Sequence, residues 1–523
     1  MSARQAPFGT VRAPRHMVAT ADQLATQAGM TVLALGGNAV DAAIAANAAI
    51  AVTGPHLCGM GGDLFALVHV DGQVHCLNAS GRAGSGADAA LLRSEGHGTM
   101  PFRHDVRTVT VPGCVDGWQA LHDRFGGLPL DVVLAPAVAL ADGGFPASPL
   151  LVGSLARVDE RARTALHELA EQARRPGHRV VRRGVAAALR QIGEGGRDAF
   201  YLGSFGDGLR TLGKGWFSEA DLADRGAEWV TPLRRTAWGV DLWTVPPNSQ
   251  GYLTLGASSL ASRLDLPGDS GSELWAHLLI EAAKSAGHDR PDVLHHAADG
   301  EALLTAIDGR DVSTRVASSL GVRTRSGDTT YLCTTDAHGM GVSLIQSNAS
   351  GFGSWVVEPS TGINLHNRGL GFSLEPGHPA ELAPGVRPPH TLSPALATRG
   401  PDLAAVFGTM GGDAQPQILL QLAARLFAHG ESPAAAVHAP RWVLDGESTG
   451  FDTWTSEAGP HVLLEGHCPE DWDAGLTARG HRVERIAPYD SSFGHAQCIV
   501  RDESGFWAGA ADPRARVASA AGA

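Results

Sequence analysis

The chain has 523 residues, of which 43% are hydrophobic and 18% charged, and this balance excludes an intrinsically disordered protein. Its 41 basic and 54 acidic residues give a net charge of −13, which argues against a nucleic-acid or anionic-membrane partner. Six scattered cysteines without CxxC spacing and the lack of a bilayer-length apolar run lead us to expect reduced thiols in a soluble, cytoplasmic protein.

The first part of the chain predicts helices and strands separated by glycine-rich turns. Residues 20–35 have the pattern of an amphipathic helix with Thr20 as its N-cap, and Asn38 is placed to cap a second, alanine-rich helix. The glycine-rich turn at residues 59–63 precedes an apolar strand instead of following one. It therefore does not match a dinucleotide-binding loop.

A helix predicted over residues 272–289 carries His277 and Glu281 one turn apart. Such a pair could supply half of a metal site, but a His/Glu pair at this spacing is more often a surface contact. No third and fourth ligand stands at zinc spacing. We therefore predict a surface contact here and no metal site.

The stretch around Thr329 predicts a hairpin that follows an exposed, polar and irregular connection over residues 300–328. Residues alternate in character up to Thr334, turn at residues 336–339 and resume from Met340, so Thr329 lies at the mouth of a strand. In one interpretation the threonine is ordinary strand material. In the other, cleavage of the Asp328–Thr329 bond makes its hydroxyl a nucleophile and its own α-amine the base.

Two adjacent glycines, Gly411 and Gly412, stand between a predicted strand and a helix that begins at Gln415. Their exposed N–H groups at a helix N-terminus would stabilise a developing oxyanion, although a plain strand-to-helix turn has the same pattern. A G-x-S-x-G elbow and a Walker loop are both absent from the sequence. The common hydrolase and nucleotide-binding signatures therefore do not apply.

Several segments, taken together and in order, resemble the γ-glutamyltransferase family of N-terminal-nucleophile enzymes, also called glutathione hydrolases. The matching segments include GGNAVDAAIAANAAIAV, PHLCGMGGDLFALV, PPNSQG, EAAKSAGHDR, DTTYLCTTD, STGINLHN, TLSPAL, GTMGGDAQPQ and AGAADPR. They extend from about residue 36 to residue 514, so the resemblance covers nearly the whole chain.

The resemblance implies an α/β fold, a four-layer αββα sandwich, in a precursor that cleaves itself. Residues 1–328 would form the large subunit and residues 329–523 the small subunit, together one structural domain. Thr329 would be the nucleophile, supported by Ser347, with Gly411 and Gly412 as the oxyanion hole. The implied partners are a small-molecule amide and water or an amine acceptor, with no cofactor and no metal; a homo-oligomer is left open.

The departures from the family pattern fall mainly in the expected acyl pocket. Ser80 stands where the family has an arginine for the substrate α-carboxylate, and Arg82 follows two residues later. Gly371 stands where the family has an acid for the α-amine, and Arg368 precedes it. A serine pair of the family is replaced by two residues, His390 and Thr391.

These changes predict a pocket with a positive balance, contributed by Arg368 and His390, that prefers acyl groups with a carboxylate and no amine. The first interpretation is thus a hydrolase or acyltransferase acting on γ-glutamyl or related carboxyacyl amides. One alternative is a non-glutamyl acyl amidohydrolase, like the oxamate amidohydrolases or the glutaryl and cephalosporin acylases. Another is an uncleaved, inactive binding homologue, but retention of Thr329, Gly411 and Gly412 favours an active enzyme.

Overall fold

The computed structural model describes residues 9–320, 329–445 and 461–523, so Asp328 of the predicted cleavage site lies outside the described residues. The helices are α1 (Gln23–Ala34), α2 (Ala39–Thr53), α3 (Ala89–Ser94), α4 (Cys114–Phe125), α5 (Leu130–Gly143), α6 (Pro149–Leu155), α7 (Glu160–Ala165), α8 (His167–Gln172), α9 (Arg183–Tyr201), α10 (Ser204–Gly213), α11 (Glu219–Ala223), α12 (Tyr252–Ser262), α13 (Glu273–Gly287), α14 (Arg290–Val293), α15 (Gly300–Asp308), α16 (Gln415–Ala423), α17 (Pro433–His438) and α18 (Asp471–Ala478).

The strands are β1 (Val11–Ala13), β2 (Met17–Thr20), β3 (Asp63–Val70), β4 (Gln73–Ala79), β5 (Phe145–Pro146), β6 (Arg179–Val180), β7 (Glu228–Val230), β8 (Leu233–Ala237), β9 (Val240–Thr244), β10 (Thr330–Thr335), β11 (Gly341–Ser347), β12 (Val357–Glu358), β13 (Ile363–Asn364), β14 (Ala395–Arg399), β15 (Asp402–Thr409), β16 (Trp442–Asp445), β17 (His461–Glu465), β18 (Arg482–Ile486), β19 (Ala496–Arg501), β20 (Trp507–Ala511) and β21 (Ser519–Gly522).

Two large antiparallel sheets form the centre of the molecule. The first sheet has the strand order β1-β20-β19-β15-β14-β9-β8, and the second has the order β21-β2-β10-β11-β3-β4-β7. The inner faces meet in an apolar layer that includes Phe65, Tyr331 and Ile345 from the second sheet and Val406 and Ile499 from the first. Because inner and outer faces are both buried, the central strands are apolar on both sides.

Helices cover the outer face of each sheet. Helices α1 and α2 pack on the second sheet, and α12, α13 and α16 pack in the apolar cluster of the first sheet. The resulting order of layers is helix, sheet, sheet, helix, which confirms the αββα sandwich that the resemblance implied. No helix in the described part of the chain combines the length and apolarity needed to cross a bilayer.

Helix α2 shows why the alanine-rich segment matters to this packing. All its residues are buried, and their small side chains let it approach the second sheet and α1 closely. Asn38 caps the helix by accepting hydrogen bonds from the N–H groups of Val40 and Asp41, which confirms the predicted cap. Helix α1 begins instead after Asp22, whose side chain accepts the Leu24 N–H, so the prediction of Thr20 as the cap is wrong.

The hairpin at Thr329 and the glycine turn are both present where the sequence predicted them. Strand β10 pairs antiparallel with β11, with Thr330 opposite Gln346, and the Asp336 N–H donates to the Met340 carbonyl at 3.0 Å. Strand β15 leads through the glycine turn into α16. The segment before Thr329 is less irregular than predicted, because α15 forms over Gly300–Asp308.

Candidate active site

Thr329 lies immediately before β10 and is 1% exposed. Side chains alternate along a strand, so Thr329 shares a face with Tyr331, whose ring is part of the layer between the two sheets. The Thr329 Oγ1 donates a hydrogen bond to Ser347 Oγ at 3.0 Å. The predicted nucleophile and its predicted support are therefore in direct contact.

Ser347 ends β11 and connects Thr329 to a buried cation. Its Oγ accepts the Ala349 N–H at 2.8 Å, and Arg368 Nη2 donates to the same oxygen at 3.5 Å. Arg368 is 2% exposed, and its Nη1 donates to Thr391 Oγ1 at 3.0 Å. Burial lowers the pKa of Arg368 to about 10, so its guanidinium stays charged at neutral pH.

The glycine turn after β15 presents two buried N–H groups. Gly411 has φ +143° and Gly412 has φ +55°, values that favour glycine. The Met410 carbonyl accepts the Thr409 hydroxyl at 2.6 Å and the Gly411 carbonyl accepts the Ala414 N–H at 3.0 Å, which fixes both peptide planes. Within the described residues neither glycine N–H donates a hydrogen bond. Buried N–H groups without a partner are rare, and this pair suits an oxyanion.

Gln250 joins this turn to the opposite side of the site, a role that the sequence analysis missed. Its Nε2 donates to the Thr391 carbonyl at 2.9 Å and to the Gly412 carbonyl at 3.0 Å. A continuous chain of hydrogen bonds therefore runs from Thr329 through Ser347 and on to the glycine turn. The only sequence signal was the PPNSQG turn that contains Gln250.

His390 is not the cationic pocket group that the sequence suggested. Its Nδ1 accepts the Leu392 N–H at 3.2 Å, so Nε2 carries the proton that is donated to Asp63 Oδ2 at 3.0 Å. Burial lowers the pKa of His390 to about 3, which makes it neutral. Burial alone would raise the pKa of Asp63, but His366, His390 and Arg368 outweigh that effect and lower it to about 2.

The predicted positive balance is therefore wrong. Asp63 is an anion in the same buried cluster as Arg368, and it compensates the guanidinium charge. Asp63 is itself engaged, because its Oδ1 accepts the Gly81 N–H at 3.0 Å. What distinguishes the site is the position of Arg368 next to Ser347, and not an excess of positive charge.

Ser80 and Arg82 have different partners in the structure. Ser80 is buried and its hydroxyl donates to Asn78 Oδ1 at 2.7 Å. Arg82 forms an ion pair with Glu228 Oε1 at 2.5 Å and donates to the Gly385 carbonyl at 2.9 Å. Arg82 thus has an acidic partner of its own, and Arg368 is the arginine that contacts the Thr329–Ser347 pair.

Gly371 lies where the backbone of another segment passes closely. A Cβ atom built on Gly371 would lie 2.4 Å from the Pro389 carbonyl oxygen, so a side chain does not fit without a shift. Gly371 and Thr391 both line one cavity of about 470 Å³, together with Arg290. The acid expected in the family for a substrate amine is therefore absent, and the surrounding backbone leaves no space for one.

Comparison with known proteins identifies the family. The family model described as gamma-glutamyltranspeptidase matches residues 25–522. The chain belongs to the gamma-glutamyltranspeptidase family. Its relatives are named hydrolases and acylases, and the chain is accordingly an amidohydrolase or acyltransferase of this family.

Similar proteins cover the whole length of the chain. The glutathione hydrolase-like YwrD proenzyme of Bacillus subtilis is 35% identical, with 96% of this chain and 97% of the relative aligned. The oxamate amidohydrolase proenzyme of Klebsiella pneumoniae is 34% identical, with 99% of each aligned. The crystal structure of cephalosporin acylase from Bacillus halodurans matches with a TM-score of 0.89 and 33% identity, over 100% of this chain and 98% of that one.

The predicted surface position of His277 and Glu281 is wrong, because both side chains are buried. His481, distant in sequence, joins them, and one ligand atom from each of the three residues lies within 4.8 Å of the others. His277 Nδ1 and His481 Nε2 are 2.9 Å apart. The Lys284 ammonium lies 2.8 Å from Glu281 Oε1, so this cluster already contains a cation that neutralises the carboxylate.

Proposed function

We propose that the chain is an autoprocessed amide hydrolase or acyltransferase whose nucleophile is Thr329, exposed as a new N-terminus by cleavage of the Asp328–Thr329 bond. Residues 1–328 and 329–523 would then be its two subunits. The supporting observation is the buried hydroxyl of Thr329, the residue immediately before β10, which is hydrogen-bonded to Ser347. The proenzyme names of the relatives agree with a precursor.

In this mechanism Thr329 Oγ1 attacks the acyl carbonyl of an amide, and the free α-amine of Thr329 accepts the hydroxyl proton. An α-amine titrates at about 7.7–8.0, close enough to neutral pH for this task. The N–H groups of Gly411 and Gly412 stabilise the oxyanion. The proton passes to the leaving amine, and water or an acceptor amine then releases the acyl group from the ester.

The preferred substrates are amides of acyl groups that carry a carboxylate and no amine. Arg368 supplies a guanidinium beside the Ser347 hydroxyl, and a guanidinium pairs well with a carboxylate. A γ-glutamyl group would also bring an ammonium, for which Gly371 offers no acid. Asp63 is already occupied by His390 and the Gly81 N–H.

The first experiment tests cleavage. Purified protein is expected to give two bands on a denaturing gel, and the smaller is expected to begin Thr-Thr-Tyr-Leu. Thr329→Ala is expected to stay intact because it lacks the attacking oxygen. An active protein that runs as one full-length band would contradict the proposal and favour another nucleophile, whereas an inactive one would favour the binding homologue.

The second experiment tests the acyl group. The kcat/KM for glutaryl-p-nitroanilide is expected to exceed that for γ-glutamyl-p-nitroanilide, and Arg368→Ala is expected to remove the difference. Arg182→Ala is the matched control, because Arg182 is equally buried but donates to the carbonyls of Ala51 and Gly362. If γ-glutamyl is the better substrate and Arg368→Ala changes neither value, glutathione hydrolysis becomes the better assignment.

A further inference from the structure

The lining of the cavity of about 470 Å³ beside the candidate active site is partly apolar and partly polar, and its polar residues include Arg93, His97, Glu375 and His378. Three chain segments enclose it: the loop over residues 97–102, the start of α14 with Leu294, and the segment over residues 370–380. Its apolar lining consists mainly of Met100, Phe102, Leu294, Leu370, Phe372 and Leu374. Four of these six are buried, while Phe102 and Leu370 are partly exposed.

One wall of the cavity is held in place by hydrogen bonds. The Ser373 N–H donates to the Ala380 carbonyl at 2.9 Å, and the Leu382 N–H donates to the Ser373 carbonyl at 3.1 Å. Arg93 Nη1 donates to the Leu374 carbonyl at 2.8 Å and pairs with Glu381 Oε1 at the same distance. The wall is therefore anchored to α3, and the cavity is built before any ligand binds.

The inner end of the cavity reaches the candidate active site through Thr391. This residue lines the cavity and also accepts the hydrogen bond from Arg368, which in turn contacts Ser347. Gly371 lines the same end. Because Gly371 and Thr391 are the positions expected to face the acyl group, the cavity lies on the acyl side of the scissile bond.

We propose that this cavity binds the acyl group of the substrate, and that this group carries an apolar body of ring size in addition to its carboxylate. The inference rests on the proposed function. The cavity is much larger than an unbranched five-carbon acyl chain needs. Its apolar walls are in a more favourable environment when they contact an apolar group than when they contact water. The carboxylate would lie at the inner end, which Thr391 lines and where Arg368 donates to the Thr391 hydroxyl, and the apolar body would lie along the apolar walls.

The test compares two substrates with the same leaving group, glutaryl-p-nitroanilide and 3-phenylglutaryl-p-nitroanilide, on the cleaved enzyme. Filling a hydrophobic pocket by one methylene changes kcat/KM about 10–200-fold, so the phenyl compound is expected to be better by at least about tenfold. As a measurement that needs no variant, 3-phenylglutarate is expected to inhibit competitively at a concentration at least about tenfold below that of glutarate.

Two variants locate the effect. Leu370→Asp places a charge in the cavity wall and is expected to abolish the preference for the phenyl compound. Leu212→Asp changes a leucine that is also partly exposed but lies in α10, outside the cavity lining, and is expected to keep the preference. Both variants are compared by the ratio of the two kcat/KM values, which is independent of the amount of folded protein.

Equal hydrolysis of the two substrates, or a preference for the glutaryl compound, would overturn the inference while leaving the proposed function standing. An equal loss of preference in Leu212→Asp would also overturn it, because the effect would not belong to the cavity. If the cleaved enzyme hydrolysed neither compound, or Thr329→Ala still hydrolysed both, the proposed function would fail, and the inference with it.

Discussion

Gln250→Met removes the amide that links the two sides of the candidate site while nearly conserving side-chain volume. Two neutral hydrogen bonds are lost, each with a net contribution of about 0.5–1.5 kcal/mol to the free energy of unfolding. Both acceptors keep another donor: the Gly412 carbonyl retains the Gln415 N–H, and the Thr391 carbonyl retains the Ser393 hydroxyl. The variant also eliminates Gln250 Oε1, a buried oxygen without a partner among the described residues. We therefore expect a stability change of no more than about 1 kcal/mol.

The effect on catalysis is expected to be larger than the effect on stability. Without Gln250 the Gly412 carbonyl loses one of the bonds that hold the glycine turn against the Thr391 segment. Complete loss of one oxyanion donor lowers kcat by about 10²–10³-fold in comparable sites, so a misaligned donor pair is expected to lower it by roughly 10–100-fold. KM is expected to change little, because the interaction strengthens in the transition state.

Gln421→Met is the matched control for Gln250→Met. Gln421 is also buried, and its Nε2 donates to the carbonyls of Gln417 at 3.1 Å and Trp442 at 2.8 Å, while its Oε1 accepts the Trp442 N–H at 3.2 Å. The control loses one more hydrogen bond, so it is expected to be less stable than Gln250→Met in urea unfolding but to keep its kcat. An unchanged kcat in Gln250→Met, or an equal fall in both variants, would refute the positioning role.

Two further predictions concern the glycine turn and the buried histidine. Gly412→Val is expected to lower kcat by on the order of 10²–10³-fold and KM little, because a β-branched residue disfavours φ +55°; steady-state kinetics with unchanged kcat would move the oxyanion hole elsewhere. His390 has a folded-state pKa of about 3, below its unfolded value, so the stability linked to it is complete above about pH 6.5 and declines as pH falls toward 3. Thermal unfolding between pH 7.5 and 5 is therefore expected to show a smaller loss of Tm in His390→Asn than in the unmodified protein, and an equal loss would count against this assignment.

Features that depend on neighbouring residues could be predicted from the sequence. The hairpin at Thr329, the Asn38 cap and the glycine turn at Gly411 and Gly412 each follow from local patterns, because alternation, capping and positive φ involve only a few consecutive residues. The order of the family segments added the αββα architecture. These features together placed the predicted nucleophile and the predicted oxyanion donors on defined elements.

Only the tertiary structure determined how charges and hydrogen bonds are shared across the site. His390 contacts Asp63, which is 327 positions away in the sequence, and Gln250 contacts Gly412, which is 162 positions away. Contacts between residues so far apart in the sequence leave no local pattern from which they could be predicted. For the same reason His277 was predicted at the surface, although it packs against His481, 204 positions away. Burial then decides protonation, since a histidine enclosed in the core stays neutral and a carboxylate beside a guanidinium stays charged.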